Sequence, residues 1–218
     1  MHNNNRPYID GRGTYEKVVE SVGRIRASGL HVGAIETTTR YSLDYSKEIV
    51  NAYVDMGFDS IFIRPLTPLG KAAKYWNEIG YTTEEFIEFY GRSLDELLVI
   101  NKNGRFIKED HATILLRRIR GDFMNYMELR SPCGAGVGQL AYYADGNIFT
   151  CDEGRMLHEM GQSTFKLGNV YKSTYRDLIN NNICKTVCSA SVLESLTNHV
   201  VIVYISLIVY VPSCKLCA

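Results

Sequence analysis

Residues 31–65 read H-V-G-A-I-E-T-T-T-R-Y-S-L-D-Y-S-K-E-I-V-N-A-Y-V-D-M-G-F-D-S-I-F-I-R-P. Two short β-prone runs, 31–38 and 60–65, flank a segment, 46–56, in which Ile49, Val50, Tyr53 and Val54 recur at helical spacing, with Gly57 after it. A strand, a helix and a second strand joined this tightly specify parallel pairing with a right-handed crossover. Upstream, 14–28 places Val18, Val19, Val22 and Ile25 on one helical face, and Gly29 can end that helix. Downstream, Pro65, Pro68 and Gly70 mark a loop. Thr82 with Glu85 forms a capping box that opens a helix carrying Phe86, Phe89, Leu94, Leu97 and Leu98, with Gly91 as the expected kink. Asn103-Gly104 closes that unit, and 111–119 reads as one further helix. Two strands of this kind are visible. Two parallel strands neither close a barrel nor make a well-covered sheet, so either further strands are irregular or this half belongs to a larger α/β domain, and the second reading is preferred.

The character changes after residue 132. Gly134, Gly136 and Gly138 follow Cys133, and the runs 139–144 and 147–151 flank Asp145-Gly146, a strong hairpin signal. A strand over 167–170 and a short helix over 173–180 are expected. The chain has 218 residues, 45% of them apolar and 22% charged, with a formal net charge of zero. That balance excludes wholesale disorder and gives no support for a nucleic acid or a membrane surface as partner. The first twelve residues are polar and hold no signal-peptide core, so a cytoplasmic location is expected. The apolar run 200–211 is shorter than the roughly 20 residues of a membrane-spanning helix and reads as a buried strand.

All six cysteines lie at or after Cys133: Cys133, Cys151, Cys184, Cys188, Cys214 and Cys217. In a cytosolic chain, clustered cysteines bind metal or do redox work more often than they form disulfides. A hairpin turn between Cys133 and Cys151 can bring both thiols to one end of the ribbon, and thiolates suit zinc and iron–sulfur clusters. The bland alternative is a pair of small buried thiols. Cys184 and Cys188 are separated by three residues. Cys214 and Cys217 have chelate spacing, and His199 beside the apolar run reads as structural. The glycines after Cys133 are not a dinucleotide loop, because they do not follow a strand and open a helix. Glu36, Asp44 and Glu153 have no partner identifiable from sequence and read as solvated or capping groups.

The segment C-G-A-G-V-G-Q-L-A-Y-Y-A-D-G-N-I-F-T-C-D-E-G-R-M, with twelve residues between Cys133 and Gly146 and four between Gly146 and Cys151, resembles the opening of a SPASM domain. That domain is the cysteine-rich extension of radical SAM peptide-modifying enzymes. F-K-L-G-N-V-Y at 165–171 is similar to the segment that follows there. G-R-G-T-Y-E-K-V-V near the start and D-M-G-F-D-S-I-F-I-R-P-L resemble the second half of a radical SAM partial barrel. The nearest resemblance is to the maturase of the His-Xaa-Ser peptide system, with sulfatase-maturating enzymes more distant.

The resemblance implies an α/β chain. Residues 1–120 would be the C-terminal part of a partial (β/α)6 barrel, and 121–218 a SPASM-type α+β extension with a β-hairpin. It implies S-adenosylmethionine as cofactor of the full-length enzyme, cleaved at a [4Fe-4S] cluster to a 5′-deoxyadenosyl radical that abstracts hydrogen from a precursor peptide. It further implies auxiliary [4Fe-4S] clusters on Cys133 and Cys151, with Cys184 and Cys188 as further ligands. Glu36 and Arg40 lie at the end of the first visible strand and Arg64 on the second. Barrel enzymes place ligand groups at strand ends, so these three are candidates to face S-adenosylmethionine or peptide.

Two departures stand out. The family's C-x-x-x-C-x-x-C signature and the glycine-rich strand after it are missing, since no cysteine precedes Cys133. The chain is therefore expected to begin after the fourth barrel strand and to lack radical SAM activity by itself. The stretch N-H-V-V-I-V-Y-I-S-L-I-V-Y-V-P-S-C stands where closely spaced cysteines are expected. One permitted codon choice, read one base earlier, turns it cysteine-rich, so a shifted frame near residue 195 is expected. Residues 195–218 are then aberrant, and Cys214 and Cys217 accidental. The competing readings are a cluster- or zinc-binding peptide-recognition module without chemistry, and an α/β protein with buried thiols.

Overall fold

The computed structural model describes residues 1–122, 126 and 134–189. Expectations for Cys133, His199, Cys214, Cys217 and residues 195–218 lie outside the described residues. The chain divides into two compact units, one containing Met1–Leu66 and Tyr75–Arg120, the other containing Thr67–Lys74 and 134–189.

The first unit is built on parallel strands. Helix α1 (His2–Asn5) and helix α2 (Tyr15–Ala27) lead to strand β1 (Ile35–Thr37). A 3-10 turn (Arg40–Tyr45) and helix α3 (Ser46–Asp55) cross to strand β2 (Ser60–Arg64). After α4 (Lys71–Lys74), which belongs to the other unit, come α5 (Trp76–Ile79), α6 (Thr83–Lys102), strand β3 (Lys108–Glu109) and α7 (Asp110–Ile119). The strand order is β1-β2-β3, all parallel, with Glu36 beside Ile63 and Ile61 beside Glu109. Ile49, Val50 and Val54 of α3, Ile61 and Ile63 of β2, and Phe86, Phe89 and Leu97 of α6 form the buried core.

The β–α–β pattern read from 31–65 is present, though β1 is only three residues long. A third strand was not legible: β3 is two residues, too short for any periodicity. The Thr82–Glu85 capping box forms in both directions, Glu85 N–H donating to Thr82 Oγ1 at 3.2 Å and Thr82 N–H to Glu85 Oε2 at 2.7 Å. The helix it opens continues through Gly91 to Lys102. Leu98 of that helix is exposed. No residue of α2 is buried, and Val18, Val19 and Ile25 of its apolar face are exposed.

The second unit carries an antiparallel sheet in the order β4 (Ala141–Tyr142), β5 (Asn147–Phe149), β6 (Lys166–Asn169). The Asp145-Gly146 turn is there. Gly146 N–H bonds the Tyr143 carbonyl at 2.9 Å, and Gly146 itself sits at φ +81°, which only glycine adopts freely. Helices α8 (Asp152–Glu159), α9 (Tyr175–Asn180) and α10 (Asn182–Ser189) complete it. Ile148, Leu167, Leu178 and Cys184 form its core, with Leu140, Ile183 and Cys188 against them. Neither α8 nor α10 was anticipated from the sequence. Among the described residues no helix is long and apolar enough to cross a membrane.

Candidate functional site

In the first unit, chemistry-bearing side chains gather around the β1–β2 pair. Neighbouring residues of a strand face opposite sides, and laterally paired residues share a side. Glu36 therefore shares a face with Ile63, whereas Arg64 lies beside Thr37 on the other face. Glu36 is buried, and its Oε2 accepts the Thr38 hydroxyl at 2.7 Å. Burial pushes its carboxyl up to about 7, against the lowering effect of the Thr38 and Ser42 hydroxyls. Tyr53 of α3 is raised to about 12 by its own burial and then by the Glu36 charge. Arg40 is exposed at the start of the 3-10 turn. Arg64 is exposed at the end of β2, its guanidinium 5.2 Å from the Phe62 ring centre. The strand pair thus separates Glu36 from Arg64.

Glu109 was not anticipated. It is buried and caps α7, accepting from Ala112 N–H at 2.5 Å, from Ile63 N–H at 3.0 Å and from the Tyr90 hydroxyl at 2.5 Å. One carboxylate thus ties β2, β3, α6 and α7 together. Burial, then the Glu109 charge and hydrogen bond, hold the Tyr90 hydroxyl well above its ordinary value. The available signal was an acid immediately before the amphipathic run 110–119, the N-cap position.

In the second unit, three described cysteines are free thiols. Cys184 and Cys188 lie one turn apart on α10, with their Sγ atoms 3.9 Å apart. Cys184 Sγ donates to the Gly136 carbonyl at 3.5 Å, and Cys188 Sγ to the Ala135 carbonyl at 3.7 Å. Gly136 N–H in turn bonds the Thr150 carbonyl at 2.7 Å, next to Cys151. The loop that follows Cys133 in sequence, the end of β5 before Cys151 and both α10 thiols therefore meet at one backbone. A Cβ at Gly136 would stand 2.8 Å from Cys184 Sγ, so the approach requires glycine. Cys151 caps α8, its Sγ accepting from Gly154 N–H at 3.4 Å. Burial raises the Cys151 thiol, and burial followed by the Cys188 thiol raises Cys184.

Thiol donors suit iron–sulfur clusters and zinc, and two thiols at this separation make half of such a ligand set. Among the described residues no three metal-ligating side chains come together. Cys133, the ligand expected with Cys151, lies outside them.

No family model and no curated protein matches the sequence. Solved structures do match. Native anSMEcpe, a radical SAM/SPASM anaerobic sulfatase-maturating enzyme, with bound AdoMet and Kp18Cys peptide, aligns at a TM-score of 0.69 and 18% identity, over 86% of this chain and 49% of that one. Native anSMEcpe with bound AdoMet gives 0.68 and 18%, over 87% and 50%. The form with bound AdoMet and Cp18Cys peptide gives 0.69 and 18%, over 88% and 52%. This chain spans about half the length of these structures, and the likeness establishes a shared fold.

Proposed function

We propose that the chain corresponds to the second half of a radical SAM barrel followed by a SPASM-type extension. In this reading it is part of a maturase that acts on a ribosomally made peptide, of the kind found in the His-Xaa-Ser system. Residues 1–120 are the barrel part and 121–218 the auxiliary-cluster part. Cys133, Cys151, Cys184 and Cys188 are the proposed auxiliary [4Fe-4S] ligands. Glu36, Arg40 and Arg64 are proposed to act toward AdoMet or peptide, Arg40 from the 3-10 turn after β1 and Arg64 from the end of β2. The bound AdoMet would supply the radical-generating chemistry in the full-length enzyme. The sequence has no cysteine before Cys133. We therefore expect no AdoMet cleavage by this polypeptide alone.

The observation that carries the reading is the convergence of Cys184 and Cys188 on the Ala135–Gly136 backbone, within three residues of Cys133. The fold shared with anSMEcpe supports it. Anaerobic reconstitution with iron and sulfide tests it. A brown protein that loses iron in Cys151→Ala and Cys188→Ala is expected, and deoxyadenosine should be absent from reactions with AdoMet. A colourless protein holding zinc would favour a peptide-recognition module without chemistry. A protein without metal would leave only the α/β scaffold with buried thiols.

A further inference from the structure

Cys184 and Cys188 stand one turn apart on α10, with their Sγ atoms 3.9 Å apart. Residues four apart on a helix have Cβ atoms about 5–6 Å apart, whereas a disulfide holds them at about 3.5–4.5 Å. Closing an S–S bond here therefore draws the two positions together by about 1–2 Å. That shift falls on the end of the helix, since α10 stops at Ser189, one residue after Cys188. The last carbonyls of a helix lack intrahelical partners, so its final turn is the easiest to open. The two thiols also differ in access. Cys184 is 1% exposed, in the core with Ile148, Leu167 and Leu178, whereas Cys188 is half-buried. A disulfide is uncharged, as two thiols are, so forming one puts no net charge into those apolar surroundings. In reducing compartments, disulfides of this transient kind serve redox sensing.

We propose that Cys184 and Cys188 are a reversible dithiol: in the metal-free chain a low-molecular-weight disulfide, of the glutathione type, oxidises them to an intrachain disulfide that opens the last turn of α10. Cys188, the half-buried thiol, loses its proton and attacks one sulfur of the reagent. That step releases one small thiol and leaves a mixed disulfide on Cys188. Cys184 Sγ, held beside it, loses its proton, attacks Cys188 Sγ and releases the second small thiol. Two protein thiols are oxidised, one reagent disulfide is reduced, and the two protons leave with the two small thiols. Closure also removes the S–H groups that donate to the Gly136 and Ala135 carbonyls, so the oxidation state of α10 reaches the loop that follows Cys133 in sequence. Strain in the closed pair makes it readily reduced again. The proposal concerns the pair without metal and does not rest on the cluster reading.

The test uses the full chain, reduced and kept metal-free with a chelator, equilibrated in glutathione buffers and trapped by alkylation. Cleavage after Arg176, Lys185 and Glu194 then places Cys184 and Cys188 on separate peptides, 177–185 and 186–194. In the oxidising buffer most of these two peptides should be joined by a disulfide, and excess reduced glutathione should lower the joined fraction about tenfold. Amide hydrogen exchange at Cys188 and Ser189 should quicken about tenfold on oxidation, as the last turn opens. Cys184→Ser should accumulate glutathione on Cys188, and Cys188→Ser should leave Cys184 a free thiol. Pairing of either cysteine with Cys133 or Cys151 instead overturns the proposal. So do two thiols that stay reduced in the oxidising buffer, unchanged exchange at Cys188 and Ser189, or glutathione on Cys184 rather than Cys188. The experiment contains no iron, so its outcome is separate from the reconstitution that tests the proposed function.

Discussion

At the scale of single residues, two buried carboxylates behave differently because their surroundings differ. Glu109 accepts three hydrogen bonds from Ile63, Ala112 and Tyr90. Removing the Tyr90 hydroxyl leaves Glu109 Oε2 with the Ala112 N–H alone, and a hydrogen bond to a charged group is worth about 1.5–3 kcal/mol. Tyr90→Phe should therefore lower the unfolding free energy measured in urea by an amount in that range, and an unchanged midpoint would contradict the role given to Glu109. Glu36 is buried against the Thr38 and Ser42 hydroxyls, and burial holds its proton to about pH 7 in the fold against 4.5 for the ordinary group. The folded state then favours the protonated form. Its contribution to stability is fully present below pH 4.5 and is lost as pH rises through 7, a difference of about 3 kcal/mol. Glu36→Gln should be less pH-dependent than the parent between pH 5 and 8, and relatively more stable at the upper end. Parallel stability–pH curves for the two proteins would count against this. Neither carboxylate was legible as buried, since a lone acid on a short strand looks like a solvated group.

At the scale of elements, what was legible had a periodic or capping signature. Helix α6 was read from Thr82, Glu85 and the spacing of its apolar residues, and both bonds of its capping box exist. Thr82→Ala removes one of them and should cost about 1 kcal/mol in chemical denaturation. The Asp145-Gly146 turn was read from two residues whose backbone demands are unusual. Strand β3 left no pattern, because two residues show no alternation. Helices α8 and α10 were missed because each is only eight residues, with Gly154 inside the first and two cysteines in the second. That second omission hid the central feature of the cysteine-bearing unit, since it is one helical turn that sets the Cys184 and Cys188 thiols 3.9 Å apart. Gly136→Ala forces a methyl into Cys184 at a backbone position with φ +83°. Its thermal midpoint should fall by several degrees. A midpoint equal to the parent's would mean that the loop and α10 are not in contact.

At the scale of the whole molecule, two parallel strands before residue 120 and a hairpin after residue 132 were read from the sequence, whereas the third parallel strand was not. The fold they share with anSMEcpe covers most of this chain and about half of that one. In α2 the apolar residues share one helical face, yet Val18, Val19 and Ile25 are exposed, because periodicity marks a face without supplying the element that covers it. If the converging thiols hold an iron–sulfur cluster, iron and acid-labile sulfide per chain after anaerobic reconstitution should be present in equal amounts. Most of both should be lost in the Cys184→Ala, Cys188→Ala double variant. Iron-free protein, or iron unchanged in that variant, would contradict cluster binding by these thiols.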